Sequence, residues 1–176
     1  MAFRRHIFVP NKRDYIRGRR RPTVECILCS ILKGDPQVES LLVWHDENFA
    51  VSVNLYPYNA GHLLVFPARH VFDLRELHPH EVLGMFELTR HFLKLLDHVY
   101  EPAGYNIGCN MGDASGASIE HFHQHIVPRY PKELGFVDIV AGAKILIEDP
   151  QVTMEKLRHA VREDPVRLPP IPENQP

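Results

Sequence analysis

No stretch of about 18 consecutive apolar residues runs anywhere in this chain, which excludes a membrane-spanning helix as a sequence expectation. The opening MAFRRHIFVP has neither a long apolar core nor a small-residue cleavage site, so no secretory leader is expected and a cytoplasmic setting is. The same stretch is rich in arginine but poor in serine, which argues against a transit peptide. Cysteine is scarce. Cys26, Cys29 and Cys109 make an odd number with one C-x-x-C pair, which excludes a disulfide framework. Internal repeats and low-complexity linkers are missing, apart from the Pro-rich end DPVRLPPIPENQP. The regular βαβ alternation of a parallel sheet is missing as well. The 176 residues that remain to be explained suit one domain with a sizeable core.

Net charge is also small, a formal −2, but it is unevenly spread. Arg4, Arg5, Lys12, Arg13, Arg17, Arg19, Arg20 and Arg21 stand against Asp14 alone in the first 21 residues. That leaves 12 basic and 21 acidic residues in the remainder, a formal −9. A basic arm on an acidic body suits contact with an anion or a partner's body, or simple solvation. The division expected is a basic arm over 1–22, a folded domain over 23–164 and an extended Pro-rich tail over 165–176.

LLVWH (41–45) and FAVSVN (49–54) are β-rich runs around the turn-forming DEN, so they read as a hairpin. HLLVFP (62–67) reads as a buried strand after the irregular NLYPYNAG. Pro79 to Tyr100 is the clearest helix, with Val82, Phe86, Thr89, Leu93, Leu96 and Tyr100 at helical spacing, Leu83 and His91–Phe92 beside them, Pro79 in its first turn and Pro102 past its end. GYNIGCN (104–110) is a further strand, followed by the small-residue loop MGDASGAS. FVDIVAGAKILI (136–147) reads as one or two short strands and 150–164 as a closing helix. The fold class expected is α+β: an antiparallel sheet of about five strands with one long and one or two short helices.

The chemistry concentrates in EHFHQHIVPR (120–129). On a strand over about 119 to 127, stopping at Pro128, His121, His123 and His125 line one face and Phe122, Gln124 and Ile126 the other. His121 and His125 are then about 13 Å apart, so all three cannot share one metal. CILC needs two nitrogen ligands to close a tetrahedral Cys₂His₂ site. His121, at the end of the row, and His70, just after a strand, can supply them. Cys26, Cys29, His70 and His121 then form a structural zinc site; the alternative is a reduced cysteine pair with His70 on the surface. A neutral imidazole can attack phosphorus directly, and a second histidine two positions on can donate to the phosphate or protonate a leaving group. The Gly-rich turn before the row offers backbone N–H groups as an anion nest, with the Ser118 hydroxyl beside it.

HFHQHIVPR resembles the signature of the histidine triad (HIT) family of nucleotide hydrolases and nucleotidyltransferases. CILCSILKGD is similar to the zinc half-site of many bacterial and archaeal members, NLYPYNAGHLLVFPARH to the family's nucleotide-binding turn and strand, and NIGCNMGDASGASIEHFHQHIVPRY to its phosphate loop and triad. The likeness spans about residues 24–130. It implies that His123 is the nucleophile forming a nucleotidyl-enzyme, and that His125 binds and orients the phosphate. It implies that His121 joins Cys26, Cys29 and His70 around zinc. Asn54 matches a residue contacting the ribose, and His62 lies beneath the triad, either on substrate or as a satisfied core histidine. Asn110, Gly116 and Ser118 match groups around the scissile phosphate and leaving group. The family's sugar-1-phosphate transferase branch has Gln where this chain has His125, which argues against that chemistry.

GYNIGCNMG and FVDIVAGAKILIEDP are similar to a subgroup acting on diadenosine polyphosphates, which includes hydrolases and phosphorylases. IFVPNKRDYI resembles its N-terminal segment, with Phe8 and Asn11 where tryptophan is usual. The resemblance implies an adenine-nucleotide substrate and a homodimer whose sheets join across the two-fold, with the 136–164 segment helping to select substrate. Nucleic acid is not an expected partner. Two other readings compete: a catalytic metal centre, against which Glu120 points to the wrong face and no H-x-H-x-D pattern occurs, and a non-catalytic nucleotide-binding module. Cys109 is expected to be a small core residue.

Overall fold

The structure, a computed structural model, describes residues 22–131, 133 and 148–169. The basic arm up to residue 21, the expected strands over 136–147 and the tail from residue 170 lie outside the described residues. In chain order the elements are α1 (Ile27–Lys33), β1 (Leu42–His45), β2 (Phe49–Val53), β3 (Leu63–Pro67), α2 (Pro79–Tyr100), β4 (Gly104–Cys109), β5 (Gln124–Arg129) and α3 (Pro150–Glu163). The strands form one antiparallel sheet in the order β1-β2-β3-β5-β4, so the α+β expectation holds.

Local chemistry sets the connections. Asp46 closes the β1–β2 hairpin by accepting from the N–H groups of Asn48 and Phe49 at 2.8 and 2.7 Å, as short acidic side chains do in turns. Helix α2 begins at Pro79, whose missing N–H costs nothing there, and the Glu81 carboxylate accepts from the N–H of His78 at 2.7 Å. Helix α3 starts the same way, with Asp149 capping the N–H of Gln151 before Pro150.

Helices cover both faces of the sheet. Phe49, Val51, Leu63, Val65, Phe122 and Ile126 pack against Met85, Leu88, Phe92 and Leu96 of α2 and Met154 and Leu157 of α3. On the opposite face Ala50, Leu64 and Phe66 pack against Ile27, Leu28 and Ile31 of α1. Covered twice, β2 and β3 are buried at every position, whereas β4 at the sheet's edge is largely exposed.

The face of α2 differs from the expected stripe. Thr89, Phe92 and Leu96 are buried as expected, but Phe86 is 64% and Leu83 53% exposed, and the inward face also holds Glu81, Gly84, Met85, Leu88 and Leu95. Gly84 explains the rotation: a Cβ there would stand 2.3 Å from Cζ of Phe49, so the missing side chain marks the closest approach of helix to sheet. Glu81 is buried because the Arg69 fork pairs with it at 3.0 and 2.6 Å.

The histidine strand is also displaced. β5 starts at Gln124, after His121 and His123, and continues through Pro128 to Arg129. Pro128 is tolerated because β3 pairs only with residues 124–126. On the β3 side of Pro128 its carbonyl instead accepts from Asn59 Nδ2 at 2.6 Å. An N–H and C=O of one strand residue point the same way, so the proline's missing donor faces a side chain rather than a ladder.

Candidate active site and metal centre

The turn between β2 and β3 brings Asn54, Tyr58 and His62 over the start of β5. Asn54 N–H donates to His62 O at 3.0 Å, and Asn54 Oδ1 accepts from Tyr56 N–H at 3.1 Å. His62, 0% exposed, sits one residue before β3 rather than on it. Its Nδ1 accepts from the N–H of Tyr58 at 3.0 Å, which places its own proton on Nε2. That nitrogen lies 3.0 Å from His125 Nδ1 and donates to it. His125 therefore carries its proton on Nε2, which lies 3.4 Å from Asn110 Nδ2, so the Asn110 amide has to turn its oxygen to this N–H to accept from it. The Tyr58 ring stacks on His62 with centroids 4.8 Å apart and is 6.2 Å from His125.

His123 is oriented by a different partner. Its Nδ1 is 2.6 Å from the main-chain oxygen of His121, an acceptor only, so Nδ1 carries the proton and Nε2 keeps a lone pair. Burial pushes the His123 imidazole below its ordinary pKa, partly offset by this bond, so the ring is neutral at neutral pH. The rings of His123 and His125 are 4.8 Å apart. One site thus holds a neutral imidazole with a free lone pair beside an imidazole presenting N–H, the pairing needed for attack on a phosphoryl group.

Two clefts meet here. A polar one of about 150 Å³ is lined by His123, His125, Asn110, Gly116, Ser118 and Tyr58. A larger one of about 420 Å³ runs along α1 and the end of β2, against Ile27, Leu28, Ile31, Val38 and Leu41. Asn54, Tyr56, Leu64, Ser118 and Ile119 line both, so the clefts are continuous. Gly116 holds φ +82° at the end of the short turn Asp113–Ser115, a conformation only glycine adopts without strain.

His121 is turned away from this cleft, as the length of the histidine row requires. Its Nε2 donates to Pro67 O at 2.9 Å, which frees Nδ1 toward the Cys26 and Cys29 sulfurs at 3.4 and 3.5 Å. His70 Nδ1 lies 3.3 Å from Cys29 Sγ. All four ligand atoms fall within 4.8 Å of one another. A tetrahedral zinc with bonds of about 2.3 Å to sulfur and about 2.1 Å to nitrogen would set each S–N edge near 3.6 Å. The donor set and spacing therefore fit such an ion. Without one, burial and the neighbouring Cys26 push the Cys29 thiol up to about 11.

A model of the HIT domain matches residues 35–132, which is 98 of the 176 residues. The chain belongs to the HIT domain family. Among curated HIT relatives, a protein named AP-4-A phosphorylase from Mycobacterium tuberculosis is 37% identical over 109 residues, covering 61% of this chain and 56% of that protein. A bis(5'-nucleosyl)-tetraphosphatase (asymmetrical) from Schizosaccharomyces pombe is 33% identical over 103 residues, covering 58% of this chain and 57% of that protein. This chain thus spans little more than half the length of either. The crystal structure of a zinc-bound histidine triad family protein from Mycobacterium smegmatis superposes with a TM-score of 0.65 at 28% identity, covering 79% of this chain and 94% of that one.

The fold brings every sequence-predicted residue into one of the two clusters: Asn54, Asn110, Gly116, Ser118, His123 and His125 line the clefts with His62 buried behind His125, and Cys26, Cys29, His70 and His121 form the four-ligand centre. Sequence reasoning missed Tyr58, which acts on His62 through its backbone N–H, and the α1 residues lining the larger cleft. The spacing of Ile27, Leu28 and Ile31 was the available signal for the second of these. Cys109 is exposed on the edge strand, not in the core as expected. No described helix is long and apolar enough to cross a membrane.

Proposed function

We propose that this chain cleaves a dinucleoside polyphosphate of the diadenosine type by nucleotidyl transfer through His123. The observation that carries the reading is the geometry of the paired imidazoles: His123 Nδ1 lies 2.6 Å from a carbonyl, which leaves its Nε2 a lone pair, and His125 Nδ1 lies 3.0 Å from His62 Nε2, which leaves its Nε2 to donate, both beside a cleft that continues into an apolar slot. The slot along α1 takes the nucleoside, with Asn54 at its junction with the polar cleft to meet the ribose. The α-phosphate lies in the polar cleft among Asn110, Gly116, Ser118 and His125.

His123 Nε2 attacks the α-phosphorus, an N–P bond forms, and the P–O bond to the polyphosphate chain breaks. The remaining nucleoside polyphosphate leaves as an anion. His125 Nε2–H donates to the phosphoryl oxygens as charge moves onto them. An acceptor then attacks the same phosphorus, gives up its proton to solvent and restores His123. Zinc held by Cys26, Cys29, His70 and His121 is structural, because four protein donors leave no coordination position for water. Reduced thiols at such a site suit a cytoplasmic setting. The exposed edge strand β4, with Ile107, and the exposed Leu83 and Phe86 of α2 form the face through which two copies join into a homodimer.

The experiment is product analysis with diadenosine tetraphosphate, with and without inorganic phosphate, for the native chain and His123→Ala. ADP plus ATP only with phosphate makes the chain a phosphorylase, and AMP plus ATP without phosphate makes it a hydrolase; in both, His123→Ala is inert. A native chain inactive under both conditions, or an active His123→Ala, overturns the proposal. Sedimentation of Phe86→Glu tests the dimer face, which fails if native and variant chains are equally monomeric or equally dimeric.

A further inference from the structure

Six polar side chains line the larger cleft. Asn54, Tyr56 and Ser118 line the polar cleft as well, so they stand at the phosphate end. Gln37, Glu39 and Ser52 line the slot alone and stand where a nucleobase would lie. Gln37 and Glu39 are exposed at its rim, and Glu39 Oε1 accepts from Gln151 of α3 at 3.2 Å. Ser52 differs from both, being 2% exposed and near the end of β2. Alternation puts it on the α1 face between Ala50 and Asn54, with Leu64 as its partner on β3. An apolar residue there would complete the packing against α1, and a buried hydroxyl costs free energy unless something uses it. β1 is irregular at the same level. Leu42 pairs with Ser52 but Trp44 with Val51, so Val43 is an extra residue, a bulge of the kind that re-aims side chains beside sites.

The Ser52 hydroxyl has a single proton to give, and it goes to Val53 O at 3.2 Å. Its lone pairs are left to accept. Asn54, at the ribose end, is two residues along the chain, about 7 Å at the rise of a strand. That span is comparable to the one between a ribose hydroxyl and the six-membered ring of a purine. We propose that Ser52 reads the base: its Oγ accepts from the amino group on carbon 6 of adenine, and this contact selects adenine over hypoxanthine and guanine. Both of those carry a carbonyl at carbon 6, which has no proton to give. To meet it, Ser52 has to leave Val53 O and turn its own proton inward. A site built to pair with a donor rejects the analogue that lacks it, because a buried acceptor is left unpaired. Glu39 is the rival reader, since a carboxylate accepts from the N–H edge of guanine. The contact rests on the slot taking the nucleoside, as proposed above, and not on the chemistry at His123.

The test is calorimetry of AMP, IMP and GMP binding to the full chain, with purine riboside 5′-monophosphate as a ligand that has neither amino group nor carbonyl at carbon 6. AMP should bind about 10-fold tighter than IMP or GMP, and about 3- to 10-fold tighter than the purine riboside, as the loss of one net hydrogen bond requires. Ser52→Ala should weaken AMP to the level of the purine riboside and leave IMP within about twofold of its native affinity. Ser52→Thr keeps the hydroxyl and should keep the order of the ligands. Native affinities for AMP and IMP within about twofold of each other overturn the proposal, and so does binding of none of the four ligands. Tightest binding of GMP overturns it in favour of Glu39. A Ser52→Ala chain that weakens all four ligands equally also overturns it, because the hydroxyl then only shapes the slot. Should Ser52→Ala fail to fold, the purine riboside deletes the same contact from the ligand side on the native chain and decides alone. The same preference should appear in kcat/KM for diadenosine over diinosine tetraphosphate. A native chain that prefers AMP as expected but turns over neither dinucleotide refutes the nucleotidyl-transfer reading and leaves Ser52 as the reader of the base.

Discussion

Substituting His62 tests the hydrogen-bond chain at its buried end. The ring accepts from Tyr58 N–H at 3.0 Å and donates to His125 Nδ1 at 3.0 Å, with no exposure to solvent. In His62→Ala both groups lose that hydrogen bond, at about 0.5–1.5 kcal/mol each. With the cavity left by the ring, the expected stability loss is about 3–5 kcal/mol, measurable by urea denaturation. The effect on chemistry is separate. His125 without its donor spreads its proton over both nitrogens and presents a lone pair to phosphate part of the time. Losing one hydrogen bond to a charged group, about 1.5–3 kcal/mol, lowers kcat/KM about 10- to 150-fold. His62→Gln separates the two effects, since its amide oxygen can accept from Tyr58 and its amide nitrogen can donate to His125. It should recover most of the rate, to within about tenfold of native. The reasoning is refuted if His62→Ala stays folded at native activity, or if His62→Gln is no faster than His62→Ala.

Because burial holds the His123 imidazole below its ordinary value, kcat/KM should stay level through neutrality and fall only below about pH 6.5, where the nucleophile protonates. The folded state prefers the neutral ring, so this group's contribution to stability is intact above about 6.5 and declines as pH falls toward the depressed value; an acid limb centred above 6.5 contradicts the assignment. Zinc binds thiolate, and the Cys29 thiol of the metal-free site lies near 11, so metal uptake at pH 7 should release protons and tighten with rising pH. Calorimetry in buffers of different ionisation enthalpy reads the proton count, and a pH-independent affinity would count against the four-ligand site. Gly84→Ala gains about 1 kcal/mol of helix propensity but drives a methyl 2.3 Å from the buried Phe49 ring. Overpacking costs about 1–3 kcal/mol, so thermal unfolding should come earlier by the equivalent of up to about 2 kcal/mol.

Elements announced by strong local chemistry were legible in the sequence. Pro79 and the break before Pro102 located α2 to the residue, and Asp46 with Asn48 located the β1–β2 turn. The two clusters were legible because histidine and cysteine carry chemistry in their side chains. What stayed hidden depends on groups every residue possesses. Pro67 O, His121 O and Tyr58 N–H decide where protons sit on three imidazoles, and no residue type marks a backbone atom for that duty. The rotation of α2 was hidden for a related reason, since periodicity weighs the apolar side chains present and Gly84 acts by having none. The displaced start of β5 follows from residues 121–123 exchanging ladder bonds for contacts with 67–71, a tertiary choice outside the alternation of the segment itself.

Pro128 gives the molecule a ruler. Where it ends the pairing of β5 with β3, it leaves a carbonyl that buried Asn59 can claim, and Asn59 belongs to the same turn as Tyr58 and His62. Pro128 lies three positions after His125, and Asn59 three positions before His62. The roof of the cleft and the histidine beneath it are therefore measured from one fixed point, along the turn into β3 on one side and along β5 on the other. Adding or deleting a residue on either side would shift Tyr58 off the ring it covers while leaving each strand able to form. Selection on the reaction would then act on the length of these two short segments as strictly as on the histidines they carry.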